Sequence, residues 1–376
     1  MRKLTVLAAA VLLGTGVLAA GPASASTGWT VQPTPDPGHE ASLSGVSCLP
    51  GGTCEAVGSY RPTKHGSVMD PLAMRKTSGS GWQKQAVPSP ASGHDDQLGG
   101  VSCVSSSSCE AVGSQAGNGG RSLVTIAEIW NGSRWRLQPM PSPQGRVELW
   151  LSAVSCASAA MCVAVGWHSP NKLNDRALTE VWNGKSWAIA PIKVPFGDVQ
   201  LTGVSCPRAG FCMAVGEDNS GNVSAIWNGS SWAVSAMPGG SSYGITAVSC
   251  ASATACTAVG FTFNGTAARG LAERWNGTRW SVQPRPSGEL NAVSCPTARR
   301  CVAAGQNTAV LSQPKPVADS WSSTRGWTRQ NAVMPPAAAH AELDGLSCVS
   351  PGGCTAVGDY QVSRHSSGAR PLAEQR

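Results

Sequence analysis

The chain has 376 residues, of which 13% are charged, and its formal net charge is +7. The cations form no Lys/Arg run and no basic helix, so the sequence lacks the electrostatic footprint of a nucleic-acid-binding protein. A mild basic excess fits at most a loose affinity for anionic surface polymers, and we interpret it as ordinary surface charge.

The N-terminus has the three parts of a secretory signal peptide. A start with two cations is followed by an apolar run from Leu4 to about Ala20 and by small residues ending at Ala25. The run is short for a membrane span, no second apolar stretch follows, and the segment lacks the cysteine that lipid attachment needs. We predict a signal peptide over residues 1–25, cleaved after Ala25. One secreted domain over residues 26–376 then remains, and its net charge is +5, because two cations leave with the peptide.

The fourteen cysteines form seven pairs, each with the same five-residue gap. Export makes disulfides possible, and an even number of cysteines in regular pairs favours a disulfide framework. The alternative is metal binding, but zinc ligands usually lie two to four residues apart, and no histidine accompanies these pairs. We predict seven local disulfides, each worth roughly 2 kcal/mol in the chain-entropy model. The pairs are Cys48/Cys54, Cys103/Cys109, Cys156/Cys162, Cys206/Cys212, Cys250/Cys256, Cys295/Cys301 and Cys348/Cys354.

The pairs mark seven repeats, whose first cysteines are 55, 53, 50, 44, 45 and 53 residues apart. Repeats of this length suit a blade of four antiparallel strands. In the first repeat, Leu43–Cys48 and Cys54–Gly58 are predicted to form a hairpin whose turn the cysteines flank, with the second strand of each repeat beginning at the second cysteine. The third strand is clearest in Leu178–Trp182. An Asn-Gly turn, with positive φ expected at both positions, joins it to a fourth strand that starts at Trp187.

Several positions keep their residue type through the repeats. The position of Ser47 is always Ser, that of Gly58 is always Gly, and that of Gly45 is Gly or Ala. We expect these small side chains where innermost strands crowd around a central channel. The paired Trp share one face of their hairpin and are interpreted as packing residues. The recurring third-strand acids are interpreted as structural, in a salt bridge or a backbone cap: Glu128, Glu180, Glu273 and Glu374.

The two chain ends supply parts of one blade. The last repeat stops at Pro371–Arg376, which matches a third strand, and Thr27–Pro33 matches the fourth strand of another repeat, Thr278–Pro284. We predict that the N-terminal strand completes the seventh blade, so that the ring closes without open sheet edges.

On these features the chain resembles the seven-bladed β-propellers of the kelch, Asp-box and WD40-like group. More narrowly, it resembles secreted Cys-paired repeat proteins of actinobacteria, and Gly184-Lys185-Ser186-Trp187 resembles the end of an Asp-box turn. The resemblance implies an all-β fold over the whole mature chain. It carries over no catalytic residue.

The turns and loops that connect the strands of such a ring lie on two opposite faces. The Cys-closed and Asn-Gly turns share one short, regular face, and the variable loops share the other, where we expect binding. All six histidines are predicted to lie in these loops, five of them in neighbouring blades seven, one and two. Such a cluster can bind a metal, a carboxylated ligand or a sugar, or supply a general base. The candidate ligand-binding residues are Tyr60, His65, His94, His340, Tyr360, Arg364 and His365.

The leading hypothesis is a secreted, monomeric binding scaffold without enzymatic activity, cofactor, metal, nucleic acid or membrane span. Its partner is a protein, a glycan or an envelope polymer. The rival is an extracellular hydrolase or lyase of carbohydrate or peptide that acts at the channel mouth, and a third hypothesis is a structural cell-surface component. No G-x-S-x-G, phosphate-loop or zinc-protease motif occurs. An enzyme predicts a deep pocket with several ionisable loop residues of shifted pKa, whereas a flat face favours binding.

Overall fold

The strands form seven antiparallel sheets of four strands each. The computed structural model describes residues 28–64, 66–90, 94–116, 123–143, 148–171, 174–194, 197–239, 244–263, 268–307, 313–363 and 368–376. The predicted signal peptide lies outside the described residues. Within them, no helix is long and apolar enough to cross a membrane.

Each sheet is one blade, and its strands are named A to D in the order in which they pair. Blade 1 contains β2 (His39–Cys48), β3 (Cys54–Arg61), β4 (Asp70–Lys76) and β5 (Gln83–Gln85). Blade 2 contains β6 (Asp96–Ser105), β7 (Ser108–Ala116), β8 (Leu123–Trp130) and β9 (Trp135–Gln138). Blade 3 contains β10 (Glu148–Ser158), β11 (Met161–Ser169), β12 (Arg176–Trp182) and β13 (Trp187–Ile189). Blade 4 contains β14 (Val199–Arg208), β15 (Phe211–Asp218), β16 (Gly221–Trp227) and β17 (Trp232–Ala236). Blade 5 contains β18 (Ile245–Ser252), β19 (Ala255–Phe263), β20 (Ala268–Trp275) and β21 (Trp280–Val282). Blade 6 contains β22 (Glu289–Thr297), β23 (Arg300–Asn307), β24 (Lys315–Ser322) and β25 (Gly326–Gln330). Blade 7 contains β26 (His340–Ser350), β27 (Gly353–Gln361), β28 (Ala369–Gln375) and, from the N-terminus, β1 (Thr30–Gln32).

The blades form a closed ring around a central channel. Residues from strand A of all seven blades line this channel. The ring closes as predicted, because Thr30, Val31 and Gln32 of β1 pair with residues 373–375 of β28. The predicted all-β, seven-bladed architecture is therefore confirmed.

Strands A and B extend further than predicted. In blade 1, strand A begins at His39 rather than Leu43, and strand B runs to Arg61 rather than Gly58. The two strands continue to pair outside the predicted bounds, at Ser42 with Ser59 and at His39 with Arg61. Within those bounds lies a β-bulge, since the pairing of β2 with β3 shifts between Leu43 and Gly45. The same shift occurs in strand A of the other six blades.

The bulge explains the constant glycine of strand B. A Cβ atom on Gly58 would lie 2.0 Å from the carbonyl oxygen of Ser42 in the neighbouring strand. The six counterparts show the same conflict, at 1.8 to 2.2 Å. This glycine is thus required by its own blade and not, as expected, by crowding at the channel. The crowding argument holds at Gly45, where a Cβ atom would lie 3.1 Å from Cα of Gly100 in the next blade.

The constant serine of strand A links each blade to the next. The Oγ of Ser47 accepts a hydrogen bond from the amide of Cys103 at 3.0 Å, and that of Ser347 accepts one from the amide of Cys48 at 2.9 Å. All seven blades make this contact, so it forms an uninterrupted belt around the ring. The remaining acceptor and donor pairs are Ser102/Cys156, Ser155/Cys206, Ser205/Cys250, Ser249/Cys295 and Ser294/Cys348.

The seven predicted disulfides are confirmed. Each joins strands A and B beside their turn, as in blade 3, where the Cα atoms of Cys156 and Cys162 are 3.9 Å apart. Disulfides of this kind are typical of proteins that fold in an oxidising compartment. The other bonded pairs are Cys48–Cys54, Cys103–Cys109, Cys206–Cys212, Cys250–Cys256, Cys295–Cys301 and Cys348–Cys354.

The second cysteine of each pair is a core residue and not a surface group at the turn. It is at most 5% exposed in every blade, because strands A and C cover it on both sides; in blade 3, for example, Cys162 pairs with Trp182 of strand C. Strand B begins at this cysteine, as predicted, only in blade 1; in the other six blades it begins one residue earlier. These seven predicted residues therefore stabilise the frame and present no surface to a ligand: Cys54, Cys109, Cys162, Cys212, Cys256, Cys301 and Cys354.

The paired Trp are packing residues, as predicted. Trp130 and Trp135 face each other across strands C and D, with ring centroids 5.8 Å apart. Trp135 is 3% exposed, and its Nε1 donates to Oε1 of Gln85 in the preceding blade. Trp130 donates to the carbonyl of Ser106 in the A–B turn. The rings therefore connect the outer strands with both the turn and the neighbouring blade.

The Asn-Gly turns differ from the two-residue turns that the dipeptide favours. Between Trp130 and Trp135 the turn has four residues, and only Gly132 has a positive φ, of 94°. Asn131 instead uses its side chain, whose Oδ1 accepts the amide hydrogens of Ser133 and Arg134. The asparagine thus caps the turn from within and has no need of the left-handed conformation.

The serine belt yields a stability prediction. Ser155→Ala removes the acceptor for the amide of Cys206, a residue that is 7% exposed. We expect the free energy of unfolding to fall by about 1–3 kcal/mol, because a buried amide loses its partner. Denaturant unfolding with disulfides intact measures this, with Ser323→Ala in an exposed turn as the control. An equal, negligible effect of both substitutions would contradict a stabilising role for the belt.

Candidate functional site

The faces of the ring differ as the sequence analysis expects. A–B and C–D turns lie at one end of every blade, here called the turn face. The B–C loops and the D–A connections lie at the other end, here called the loop face. Loops from the two classes meet there, since the amide of Asp96 donates to the carbonyl of Met69 and the amide of Val199 to that of Asp175.

A cavity of about 630 Å³ opens on blade 1 at the loop face. It is here called the blade-1 cavity, and its lining includes Tyr60, Asp70 and Lys84. Asp70 is the strand partner of Tyr60, and the Nζ of Lys84 lies 3.5 Å from the centroid of the Tyr60 ring. The cavity therefore combines an aromatic ring, with a cation over one of its faces, and a carboxylate on the adjacent strand.

Three further predicted site residues lie in or beside the neighbouring blades 7 and 2. Tyr360 in blade 7 has the strand position of Tyr60 and packs against the buried core cluster that includes Trp29 and Leu343. His340 is the first residue of β26, and His94 precedes β6 by two residues. His65, Arg364 and His365 lie outside the described residues.

His94 belongs to a polar group around Asp96. The carboxylate of Asp96 accepts hydrogen bonds from Ser89 and from Gln115, the latter at 2.8 Å. Burial raises the pKa of Asp96, and these hydrogen bonds and the nearby His94 oppose that rise. The histidine thus supports a buried carboxylate behind the loops.

His168 was expected in a loop but lies within strand β11, paired with Arg176. It holds in blade 3 the strand position of Tyr60 and lines a second cavity, of about 510 Å³. Ile189, Ile192 and the cations Arg176 and Lys193 share that lining. Burial, and next the charge of Arg176, lowers the pKa of His168, while Asp175 opposes this shift. His168 was not among the candidate site residues, because it lies outside the histidine-rich sector of the sequence. It nevertheless follows the constant glycine of its repeat by two residues, as Tyr60 does.

Three acids meet at the inner rim of blade 7: Glu342, Asp344 and Asp359. A ligand atom of each lies within 4.8 Å of those of the other two, and among the described residues this is the one such group. Asp344 is the bulge residue of β26 and lines the channel, whose volume is about 180 Å³. Burial and the two neighbouring carboxylates raise the pKa of Asp344 to about 8. Burial and Glu342 raise that of Asp359 to about 7.

The recurring acids of strand C are buried inside the blades. Glu374 is fully buried, and its Oε2 accepts the amide of Val333 at 3.2 Å. Asp319 has the same position in blade 6 and accepts the amide of Ser287. At these two positions the acid caps the chain that enters the blade, which confirms a structural role. Burial raises the pKa of Glu128 to about 9 and of Glu180 to about 8, and both face aliphatic residues of strand D.

The raised pKa values of Glu128, Glu180 and Asp344 lead to a prediction of how stability depends on pH. Their folded pKa values exceed the ordinary ones, so the folded state binds more protons than the unfolded state. Their contribution to stability is complete below about pH 4 and is lost as the pH rises through about 7 to 9. We expect the denaturant midpoint to fall between about pH 5 and pH 9.

Asp344→Asn tests the assignment, since the amide still accepts the hydrogen bond that Asn291 donates at 3.0 Å. We expect this variant to be more stable than the wild type at pH 9, by about 1 kcal/mol or more, and to lose stability less steeply with pH. Asp36→Asn, at an exposed carboxylate, is the control and leaves the profile unchanged. Identical profiles for all three proteins would contradict the prediction.

Comparison with known proteins supports the fold. No protein-family model matches the chain, and no curated protein matches its sequence. A solved structure of YCF48 bound to D1 peptide matches 94% of this chain and 97% of its own, with 12% identity and a TM-score of 0.56. U3-55K matches 93% and 98% of the two chains, with 10% identity and a TM-score of 0.59. The RRP9 WD40 repeats match 94% and 98%, with 11% identity and a TM-score of 0.58. At these identities the likeness concerns the fold alone, and it confirms that this chain is a seven-bladed β-propeller similar to those built from WD40 repeats.

Proposed function

We propose that this protein is a secreted, non-enzymatic scaffold that binds a segment of a partner protein in the blade-1 cavity. The observation that carries the proposal is the cavity itself. Its volume of about 630 Å³ lies within the range of about 300–1,000 Å³ for ligand pockets. The surrounding frame is held by seven disulfides, and a rigid frame lowers the entropic cost of binding.

The residues of the cavity suit a peptide better than a bare ion. Tyr60 supplies a flat aromatic anchor with few rotatable bonds, Lys84 lies over one face of its ring, and Asp70 supplies the opposite charge. His94, His340 and Tyr360 lie in or beside the neighbouring blades 2 and 7, and His65, Arg364 and His365 belong to the same sector of the sequence. The solved YCF48 structure, which has the same fold, holds a D1 peptide. A propeller of this kind is therefore able to bind a peptide segment.

One observation favours the rival enzymatic function. Glu342, Asp344 and Asp359 have raised pKa values, as general acids often do. The channel beside them has a volume of only about 180 Å³, which is below the usual size of a substrate pocket. A scaffold function accounts for the larger cavities without a catalytic step.

Peptide selection tests the binding site. Peptides from a random displayed library are selected on the wild-type protein, and their affinity is measured in solution. Tyr60→Ala is expected to weaken the selected peptides at least about tenfold, because an aromatic anchor is worth about 2 kcal/mol. His168→Ala changes the same strand position in blade 3 and is the matched control, for which we expect no loss. Failure to select any peptide, or loss with His168→Ala alone, would contradict the proposed site.

Secretion is tested at the N-terminus. Expression of the full chain in a secreting host should release a protein that begins at Ser26 and contains no free thiol. Intact-mass measurement before and after reduction detects both features. Retention inside the cell with residues 1–25 still attached would show that this segment is no cleaved signal.

A further inference from the structure

The acidic residues of this protein avoid the turn face, whereas exposed cations occur on both faces. In the C–D turns, exposed cations occur at Arg134, Lys185, Arg279 and Arg325. In or beside the A–B turns, further exposed cations occur at Arg208, Arg299 and Arg300. Blades 2 to 6 each contribute at least one, so the positive charge extends around most of the ring.

No acid balances these cations on the turn face. The chain has 21 acidic residues, and none lies in an A–B or C–D turn of the described residues. The nearest acids, Glu55 and Glu110, follow the second cysteine of their blades and are 1% and 3% exposed. The other acids are buried in strand C or lie towards the loop face. The net charge of +7 is therefore distributed unevenly, because the acidic residues that offset the cations lie away from the turn face.

The chemistry of the turn face suits phosphate. Six of the seven cations are arginines, whose planar guanidinium groups bind phosphate oxygens in a bidentate manner. Among the described residues, none of the seven forms an ion pair with a carboxylate, so each is available to a ligand. Backbone amides of the turns already donate to asparagine side chains, as they do to Asn131 and Asn276. The groups that bind a ligand are therefore the cationic side chains.

The distribution also indicates the size of the ligand. Charges spread over five blades contact one small anion poorly, but they match a polymer that carries an anion in every repeat. A lipid surface fits less well, because interfacial binding needs apolar side chains to insert. Of the large apolar residues that are strongly exposed in the described part of the chain, only Val349 lies beside a turn of this face.

We propose that the turn face binds a linear polymer with repeated phosphate groups. The protein is thereby held at a phosphate-rich surface, while its loop face points away from that surface and stays open. This inference is independent of the blade-1 cavity.

Inorganic polyphosphate is a suitable probe, with binding measured over a range of salt concentrations. The triple variant Arg134→Gln, Arg279→Gln, Arg325→Gln removes three cations from the turn face. The control Arg269→Gln, Lys315→Gln, Arg370→Gln removes three exposed cations near the loop-face ends of strand C in blades 5 to 7. Both variants have the same net charge, so any difference in their affinity for polyphosphate reflects where the removed cations lie. Thermal unfolding checks that both are folded.

We expect the turn-face variant to bind polyphosphate at least tenfold more weakly than the wild type and the control to bind nearly as well as the wild type. The slope of log affinity against log salt should shrink by about two for the turn-face variant, since each phosphate contact on a flexible chain contributes about 0.7. Equal losses in both variants would show that only net charge matters and would overturn the proposal. So would absence of wild-type binding at physiological salt. Stronger binding to vesicles of anionic lipid than to polyphosphate, with the same loss in the turn-face variant, would assign the face to membranes instead.

Discussion

The closed ring depends on one hydrogen bond repeated seven times, from the amide of a strand-A cysteine to the hydroxyl of the serine in the preceding blade. Each blade supplies one donor and one acceptor, so every group has a partner only when the last blade meets the first. The same cysteine is bonded covalently to strand B, as Cys48 is to Cys54. One residue therefore fixes both the hairpin and the blade-to-blade contact, and the pairing of β1 with β28 gives the seventh blade its fourth strand.

The bulge in strand A adds a second connection that varies between blades. The bulge residues Thr202 and Thr246 donate their hydroxyls at 2.6 Å to carbonyls of the next blade, and Asn291 donates its amide to Leu343 at 3.2 Å. Asp344 holds the same position in blade 7, but an ionised carboxylate cannot donate. Its proton is retained to about pH 8, because burial and neighbouring carboxylates disfavour the charge. The ring is thus regular in its serine belt and irregular at the channel, where chemistry differs from blade to blade.

The sequence predicts the features that recur with a fixed spacing and misses those that depend on a single residue or on contact between blades. The cysteine pairs were sufficient to predict the disulfides, and the Trp pairs were sufficient to predict the hairpins of strands C and D. The similarity of the two chain ends to strands of other repeats was sufficient to predict the closure of the ring. The bulge at Ser44 was missed, although the extra residue shifts the alternation, so that the buried residues after Ala41 and Leu43 resume at Val46. The need for glycine at position 58 was explained wrongly, because the close approach of the Ser42 carbonyl beside the bulge is visible only in the structure. For the site, Tyr60 was found from its loop, whereas His168 was missed, because the cavity around it joins strand ends and a D–A connection that are distant in sequence.

The two faces of the ring are under different constraints, and this explains why both can carry function. Loops on the loop face differ in length, so cavities form there where strand ends and D–A connections meet, as around Tyr60 and His168. On the turn face, the disulfides and the asparagine caps fix the backbone, and a residue such as Arg134 or Arg279 is free only in its side chain. A fixed backbone holds such side chains at set positions around the ring, which suits a repetitive ligand better than an irregular one. A surface for recognition and a surface for attachment therefore arise from the same repeat, because its two ends are restrained to different degrees.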